Sequence, residues 1–399
     1  MPTMPTSDDA PPRISGRAQR IEPFYAVAIF REAMAMADDG RRILMCVGEP
    51  DFPTPERVVN AAVEAVRNGE THYTVPAGIP PLRAAISRHY RERYEVEVPA
   101  ERILSTVGAS GALALAFGVL ANAGDEFLMA DPTYPSNRAL LTNYGANARL
   151  IPVGAEEHFQ LTAALVDRHW TPATRGVMVA SPANPTGTMV SDAEMRAIHD
   201  VVHRRGGVLI VDEIYHGLTY DTHPQTAAAL GDDVFVVNSF SKYYCMTGWR
   251  LGWLVVPPAY FDAVERMAQH LYIGPPSPSQ WAGVAAMEPE STAIYELQRA
   301  ELARRRDYIV PALAGIGLDV ACKPDGAFYV YADCSVFTHD SWTFSQELLR
   351  DSGVAITPGR DFGTHRANEF VRISFASPIA VLQDAVSRIG AFVGRTTRP

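Results

Sequence analysis

The sequence predicts an α/β fold built on a mostly parallel central sheet, and three observations predict it. Short apolar runs recur at 103–107, 126–130, 148–153, 177–180, 208–211 and 234–237. They are continuous rather than alternating, the pattern of strands covered on both faces. Helical segments or loops, such as 192–205, separate them, and strands alternating with helices build parallel sheets through right-handed crossovers. The residues able to do chemistry fall just after these runs, at the carboxyl ends of the strands, where open parallel sheets bind ligands.

Taken in order, residues 1–14 form a polar, proline-rich stretch with no apolar signal-peptide core, expected to be a mobile tail. Residues 21–39 read as an extended entry followed by a helix with Ala26, Phe30, Met34 and Ala35 on one face. A short run, 44–47, leads into the turn 48–53, and helices are expected at 58–67 and 82–94 on either side of a Pro- and Gly-rich loop. The strand 103–107 is closed by Gly108-Ala109-Ser110-Gly111 and followed by an apolar helix through Leu120. The remaining runs follow, and 251–256 adds one more strand. From about residue 295 the pattern changes to a charged helix 295–308, strands at 328–331 and 371–375, and helices at 344–351 and 379–393. The expected division is a tail 1–14, a segment 15–47 that joins a small domain, a large ligand-binding domain 48–290, and the small α+β domain 291–399.

The totals exclude several classes. The chain has 399 residues, 47% hydrophobic and 20% charged, ordinary for a globular enzyme subunit. Its net charge of −10 argues against nucleic-acid or anionic-membrane binding. No run approaches the ~20 apolar residues of a membrane span. Four cysteines, far apart and without a C-x-x-C pair, point to a reducing compartment, the cytoplasm.

The chemistry centres on Ser239–Arg250, SFSKYYCMTGWR. An amine (Lys242), two hydroxyls (Ser239 and Ser241) and a guanidinium (Arg250) suit a ligand with a carbonyl at one end and a phosphate at the other. Gly108, Ala109 and Ser110 open a helix, where backbone amides and the dipole favour a phosphate. Tyr134 in ADPTYP offers a ring face to a flat ligand. Asn184 in SPANPTG can donate to a ring oxygen, and Tyr215 can reach the same atom. Asp212 ends a buried strand, which is costly unless a cation pairs with it; a protonated pyridine nitrogen is such a cation.

Together these stretches resemble the class I/II aminotransferases of the fold type I, pyridoxal 5′-phosphate-dependent superfamily, to which aspartate aminotransferase belongs. The resemblance is carried by GEPDF (48–52), HYTVPAGIPPLR (72–83), TVGAS (106–110), DPTYP (131–135), SPANPTG (181–187), VDEIY (211–215), SFSKYYCMTGWRLG (239–252), PDGAFY (324–329) and FVRISFA (370–376). It implies that Lys242 holds the cofactor as a Schiff base and shuttles the proton, and that Asp212 pairs with the pyridinium. Asn184 and Tyr215 then hold the phenolate oxygen, and Tyr134 stacks on the ring. Ala109, Ser110, Ser239, Ser241 and Arg250 hold the phosphate. It further implies a homodimer in which Tyr73 reaches the neighbouring phosphate, and it makes Arg372, with the backbone of Gly48, the clamp on the substrate α-carboxylate.

The expected reaction moves an amino group from an L-amino acid to a 2-oxo acid. The turn 107–111 has no lysine and 269–280 no arginine to meet a side-chain carboxylate, while Phe24 and Tyr25 can add aromatic surface. A neutral or aromatic donor is therefore expected over aspartate. The alternatives are a lyase of the same fold, cleaving a C–S bond or closing a cyclopropane ring, and a non-catalytic regulator. His199-Asp200-Val201-Val202-His203 resembles a zinc helix but reads as a solvated helix face, so no metal is expected.

Overall fold

A computed structural model describes residues 13–36, 40 and 42–396. Residues 1–12 of the expected tail, and 37–39 and 41 of the N-terminal segment, lie outside the described residues. Twelve strands are described: β1 (Ile43–Leu44), β2 (Ile103–Thr106), β3 (Glu126–Asp131), β4 (Asn147–Pro152), β5 (Thr174–Ala180), β6 (Val208–Asp212), β7 (Val234–Ser239), β8 (Gly252–Val255), β9 (Tyr329–Asp333), β10 (Val354–Ala355), β11 (Thr357–Pro358) and β12 (Phe370–Ser374).

Seven of these form the central sheet, in the order β2-β8-β7-β6-β5-β3-β4. Pairings from β7 through β4 are parallel, and β8 alone runs antiparallel, to both β2 and β7. The apolar runs are continuous because each face is covered. Leu209 and Val211 enter one core cluster, while their neighbours Val208 and Ile210 enter the cluster on the opposite face. Every residue of β6, β7 and β8 is buried. The crossover helices start where the sequence supplies caps. Ser191 Oγ, for example, accepts from the amide of Glu194 at 3.2 Å, which starts the helix Asp192–Arg204.

The chain ends meet beyond the sheet. β1 pairs in parallel with β10, and β11, β12 and β9 make a three-stranded antiparallel sheet. The helix expected at 295–308 is much longer, Pro289–Ala314. Its buried Arg305 and Arg306 reach back to Asp51 at 2.7 Å and Asp221 at 2.8 Å. The helix Tyr25–Ala35 buries Ala26, Ile29 and Ala33, which shares only Ala26 with the expected face: Phe30, Met34 and Ala35 are exposed. Its sequence carries two apolar stripes, and periodicity alone cannot say which one meets the core.

Candidate active site

The carboxyl ends of β2, β3, β5, β6 and β7 surround one cavity of about 470 Å³. β8 is antiparallel to β7, so its beginning lies at the same edge. That is how Arg250, just before β8, joins residues that follow the other strands. Lys242, Asp212, Asn184, Tyr215, Tyr134, Ala109, Ser110, Ser241, Arg250, Gly48, Arg372 and Phe24 all line this cavity.

Asp212, the last residue of β6, is buried, and its Oδ1 accepts from the amide of Ile214 at 3.0 Å. Burial raises its carboxyl to about 6, against the opposing pull of that amide and of the Lys242 charge. Lys242 donates from Nζ to the carbonyl of Gly48 at 2.5 Å. Burial first, then the Arg372 charge, lowers its amine to about 8. Arg372 lies mid-strand in β12 and is buried. It donates to Asn184 Oδ1 at 2.9 Å, to the Cys46 carbonyl at 2.7 Å and to Thr357 Oγ1 at 3.2 Å. Its Nε is buried without a partner, which leaves unmet donor capacity in the cavity wall. Because Asn184 accepts through Oδ1, its amide nitrogen is left to donate elsewhere.

The phosphate end of the cavity is a built cradle. The helix Gly108–Leu120 starts with no side-chain cap, so its first amides stay available. Gly108 has φ +68°, and a Cβ there would stand 2.7 Å from Nη2 of Arg250. Glycine takes that conformation without strain and leaves the guanidinium its room. Ser239 Oγ donates to Ser241 Oγ at 2.9 Å, so Ser239 supports the hydroxyl that lines the cavity rather than lining it. These donors fit pyridoxal 5′-phosphate. They include an amine for the aldehyde, an anionic group for the ring nitrogen, and helix amides, hydroxyls and a guanidinium for the phosphate.

Gly108 and Ser239 stand just behind the lining, and two further expected residues, Tyr25 and Tyr73, are not in it either. Tyr25 does not line the cavity. One residue on from Phe24, the helix turns it away, to an edge contact with Trp342 at 5.2 Å and under Arg360. Tyr73 is 86% exposed and does not line this chain's cavity. Other residues were not singled out from the sequence. Tyr329 bonds its hydroxyl to that of Tyr215 at 3.1 Å, and it lies so close to Gly48 that a Cβ there would meet its oxygen at 2.7 Å. Its signal was present, since PDGAFY ends on it. Val27, Phe30, Leu113, Leu140 and Ile214 add apolar wall, and nothing separates them in sequence from ordinary core residues. His199 and His203 flank Asp233, at 2.9 and 3.3 Å. No group of three or more metal-ligating side chains is placed to hold an ion among the described residues. Nor, among them, is any helix long and apolar enough to cross a membrane.

A mixed, mostly parallel sheet carrying this cavity is the fold of the type I pyridoxal-phosphate-dependent transferases. The sequence profile described as aminotransferase class I and II matches residues 41–389. A valine–pyruvate aminotransferase of Mycobacterium tuberculosis is 43% identical over 376 residues, 94% of this chain and 97% of that protein. The crystal structure of an aminotransferase from the same organism superposes with a TM-score of 0.93 at 42% identity, covering 96% of this chain and all of that one. Aspartate aminotransferase from Thermus thermophilus with maleate gives 0.90 at 32% identity, over 95% and 99% of the two chains. The chain belongs to the class I and II aminotransferases: it is a pyridoxal-phosphate-dependent transaminase acting on amino acids and 2-oxo acids.

Proposed function

We propose that the amino donor is an L-amino acid with a neutral, apolar side chain, aliphatic or aromatic, in preference to aspartate. One observation carries this reading. Apart from its charged and polar residues the cavity lining is apolar, with Phe24, Val27, Phe30, Leu113, Leu140 and Ile214 its larger members. The lining cations are Lys242, Arg250 and Arg372, and the lining acids are Glu49 and Asp212. If the three cations serve the cofactor and the α-carboxylate, none remains for a second carboxylate. A buried unpaired carboxylate is strongly disfavoured. The 43% identity to a protein named for valine and pyruvate supports the same reading.

The geometry supports the following residue roles. Pyridoxal 5′-phosphate supplies, when bound, an aldehyde for amine exchange and an electron sink for the donor's α-carbon. Lys242 Nζ is the attachment point and the base that carries the α-proton, with an amine lowered toward working pH. With the cofactor bound, Asp212 would pair with the ring nitrogen, Asn184 and Tyr215 would hold the ring oxygen, and Tyr134 would cover the ring. Arg250, Ser110, Ser241 and the first amides of the helix Gly108–Leu120 hold the phosphate. Arg372 and Gly48 fix the α-carboxylate, which orients the C–H bond toward Lys242. The active unit is a homodimer. The exposed Tyr73, Val75, Leu271 and Ile273 form an apolar surface at neighbouring loops for a second copy to cover, carrying Tyr73 to its phosphate. The division into segments 15–47, 48–290 and 291–399 serves this arrangement, the last unit bringing Arg372, and the free cysteines suit a cytoplasmic enzyme.

A half-reaction screen tests the reading: the cofactor spectrum of the holoenzyme is followed with each L-amino acid in turn. Valine, leucine or phenylalanine should convert the aldehyde form to the amine form fastest. Fastest conversion by aspartate overturns the donor assignment, and loss of sulfide from cysteine without amine-form accumulation overturns the transaminase step.

A further inference from the structure

Besides Leu113 and Ile214, the apolar sides of the cavity come from two helices distant in sequence. The helix Tyr25–Ala35 brings Val27 and Phe30, with Phe24 just before it, and the helix Pro135–Asn143 brings Ser136 and Leu140, with Tyr134 just before it. One residue outside the cavity lining, Asp361, holds both. It is buried at the end of the short turn Gly359–Asp361. Its Oδ1 accepts from the amide of Tyr25 at 2.8 Å and its Oδ2 from the amide of Ala26 at 2.9 Å. These are the first two amides of a helix whose own N-cap residue, Phe24, has no side-chain acceptor. The cap is therefore supplied from 336 residues away. The backbone carbonyl of Asp361 accepts from Arg138 Nη2 at 2.8 Å, on the second helix. Arg360, beside it, covers the Tyr25 ring at 5.2 Å. The capped end carries Phe24, which meets Tyr134 edge-on with ring centres 5.8 Å apart.

We propose that Asp361 is a positioning residue for donor selectivity: by capping one wall helix and bonding the other, it sets the width of the pocket that receives the donor side chain. The proposal rests on the apolar-donor reading above for the identity of that pocket. The turn itself is pinned to the sheet. The amide of Thr133 donates to the Phe362 carbonyl at 2.8 Å, and Asp131 accepts from the amides of Thr364 and His365, each at 3.0 Å for Oδ2. The anchor is thus fixed to β3, and the part left to move when it is cut is the N-terminal end of the helix Tyr25–Ala35, whose far end stays tied through Glu32 to Arg350 at 2.7 Å and Gln346 at 3.1 Å. A displaced Phe24 loses its edge contact and opens the side of the pocket that a branched or aromatic side chain touches. The methyl group of alanine is too short to touch that side.

The test uses the holoenzyme carrying Asp361→Ala or Asp361→Asn, with half-reactions for L-valine, L-phenylalanine and L-alanine. Asp361→Ala should lower kcat/KM for valine and phenylalanine by about tenfold through KM, the scale of losing a charged two-bond cap. The value for alanine should move by less than about twofold, since it makes no contact with the displaced wall. Asp361→Asn keeps one acceptor and should lie between. Hydrogen exchange at the amides of Tyr25 and Ala26 should quicken in both variants. Equal losses for all three donors would show a merely structural cap, and an unchanged donor ratio with quickened exchange would show a helix irrelevant to selectivity; either overturns the proposal. If Asp361→Ala does not fold, Asp361→Asn decides by the same ratio. A parent enzyme that prefers aspartate sinks the donor reading separately, because the valine-to-alanine ratio of variant against parent still reports on Asp361.

Discussion

The floor of the cavity and its apolar wall are held in different ways. On the floor each polar group is tied to the strands or their turns: Asp212 by the amide of Ile214, Lys242 to the Gly48 carbonyl, and Arg372 to Cys46, Thr357 and Asn184. Those attachments stand on a seven-stranded sheet covered on both faces, so many contacts determine each position. The wall is tied differently: its first helix packs Ile29 and Ala33 into a small core cluster and holds Arg350 through Glu32 at 2.7 Å, but its cavity end has one polar tie. Phe24, Val27 and Phe30 ride on one helix whose N-terminus depends on a single distant carboxylate. The difference separates chemistry from selectivity: a floor defect should injure every donor alike, whereas a wall defect should sort donors by side-chain size.

The largest expected effect tests the floor. Lys242→Ala should lower kcat for every donor on the order of 10⁴-fold, the loss of both attachment point and proton carrier. Its thermal midpoint should hold, because the amine makes one hydrogen bond, to Gly48, and removing a buried charge also removes its desolvation cost. Transaminase rates beside a melting curve check this. Residual activity that differs among donors would break the division between floor and wall.

The floor was also the part legible in the sequence, for a physical reason. Asp212 and Gly108 follow an apolar run directly, and Asn184 and Lys242 come within five residues of one, so strand and chemistry are read together from one stretch. Arg372 was not legible in that way. Without the family resemblance it reads as a surface charge at a strand end, whereas it is buried mid-strand against the rings of Tyr329 and Phe362 at 4.4 and 5.0 Å. The parallel sheet was legible, yet the reversal of β8, which puts Arg250 at the right edge, has no local signal. The wall was the least legible. Phe30 and Leu140 look like any helical core residue, Tyr25 and Phe24 look interchangeable, and Asp361 gains its role only from a contact 336 residues away.

A second test of the floor should be smaller. Arg372→Lys keeps the charge but replaces a planar fork by a point donor. It can no longer serve Asn184 and Cys46 together with a substrate carboxylate. The expected result is a rise in KM of about 100-fold, equal for valine, phenylalanine and alanine, in the range of losing charged hydrogen bonds. Steady-state kinetics on the three donors check it. A loss confined to the larger donors would place Arg372 functionally with the wall and blur the comparison.

The smallest effect sharpens what the floor's burial does to its amine. In the role proposed for Lys242 its neutral form is the nucleophile, and burial with the Arg372 charge lowers the amine from the ordinary 10.5 to about 8. A lowered value enlarges the neutral fraction below pH 10: at pKa 8 it is about a tenth at pH 7 and about nine-tenths at pH 9. Capture of added pyridoxal 5′-phosphate by the apoprotein, followed by absorbance, should therefore quicken about tenfold between pH 7 and 9 and then level. The Glu49 charge pulls the other way, favouring the protonated amine, so Glu49→Gln should shift the midpoint to lower pH. A capture rate that keeps climbing toward pH 10 would mean that the cavity does not desolvate Lys242. The floor would then be as open to solvent as a surface loop, and its rigidity would have to be credited to the ligand rather than to the sheet.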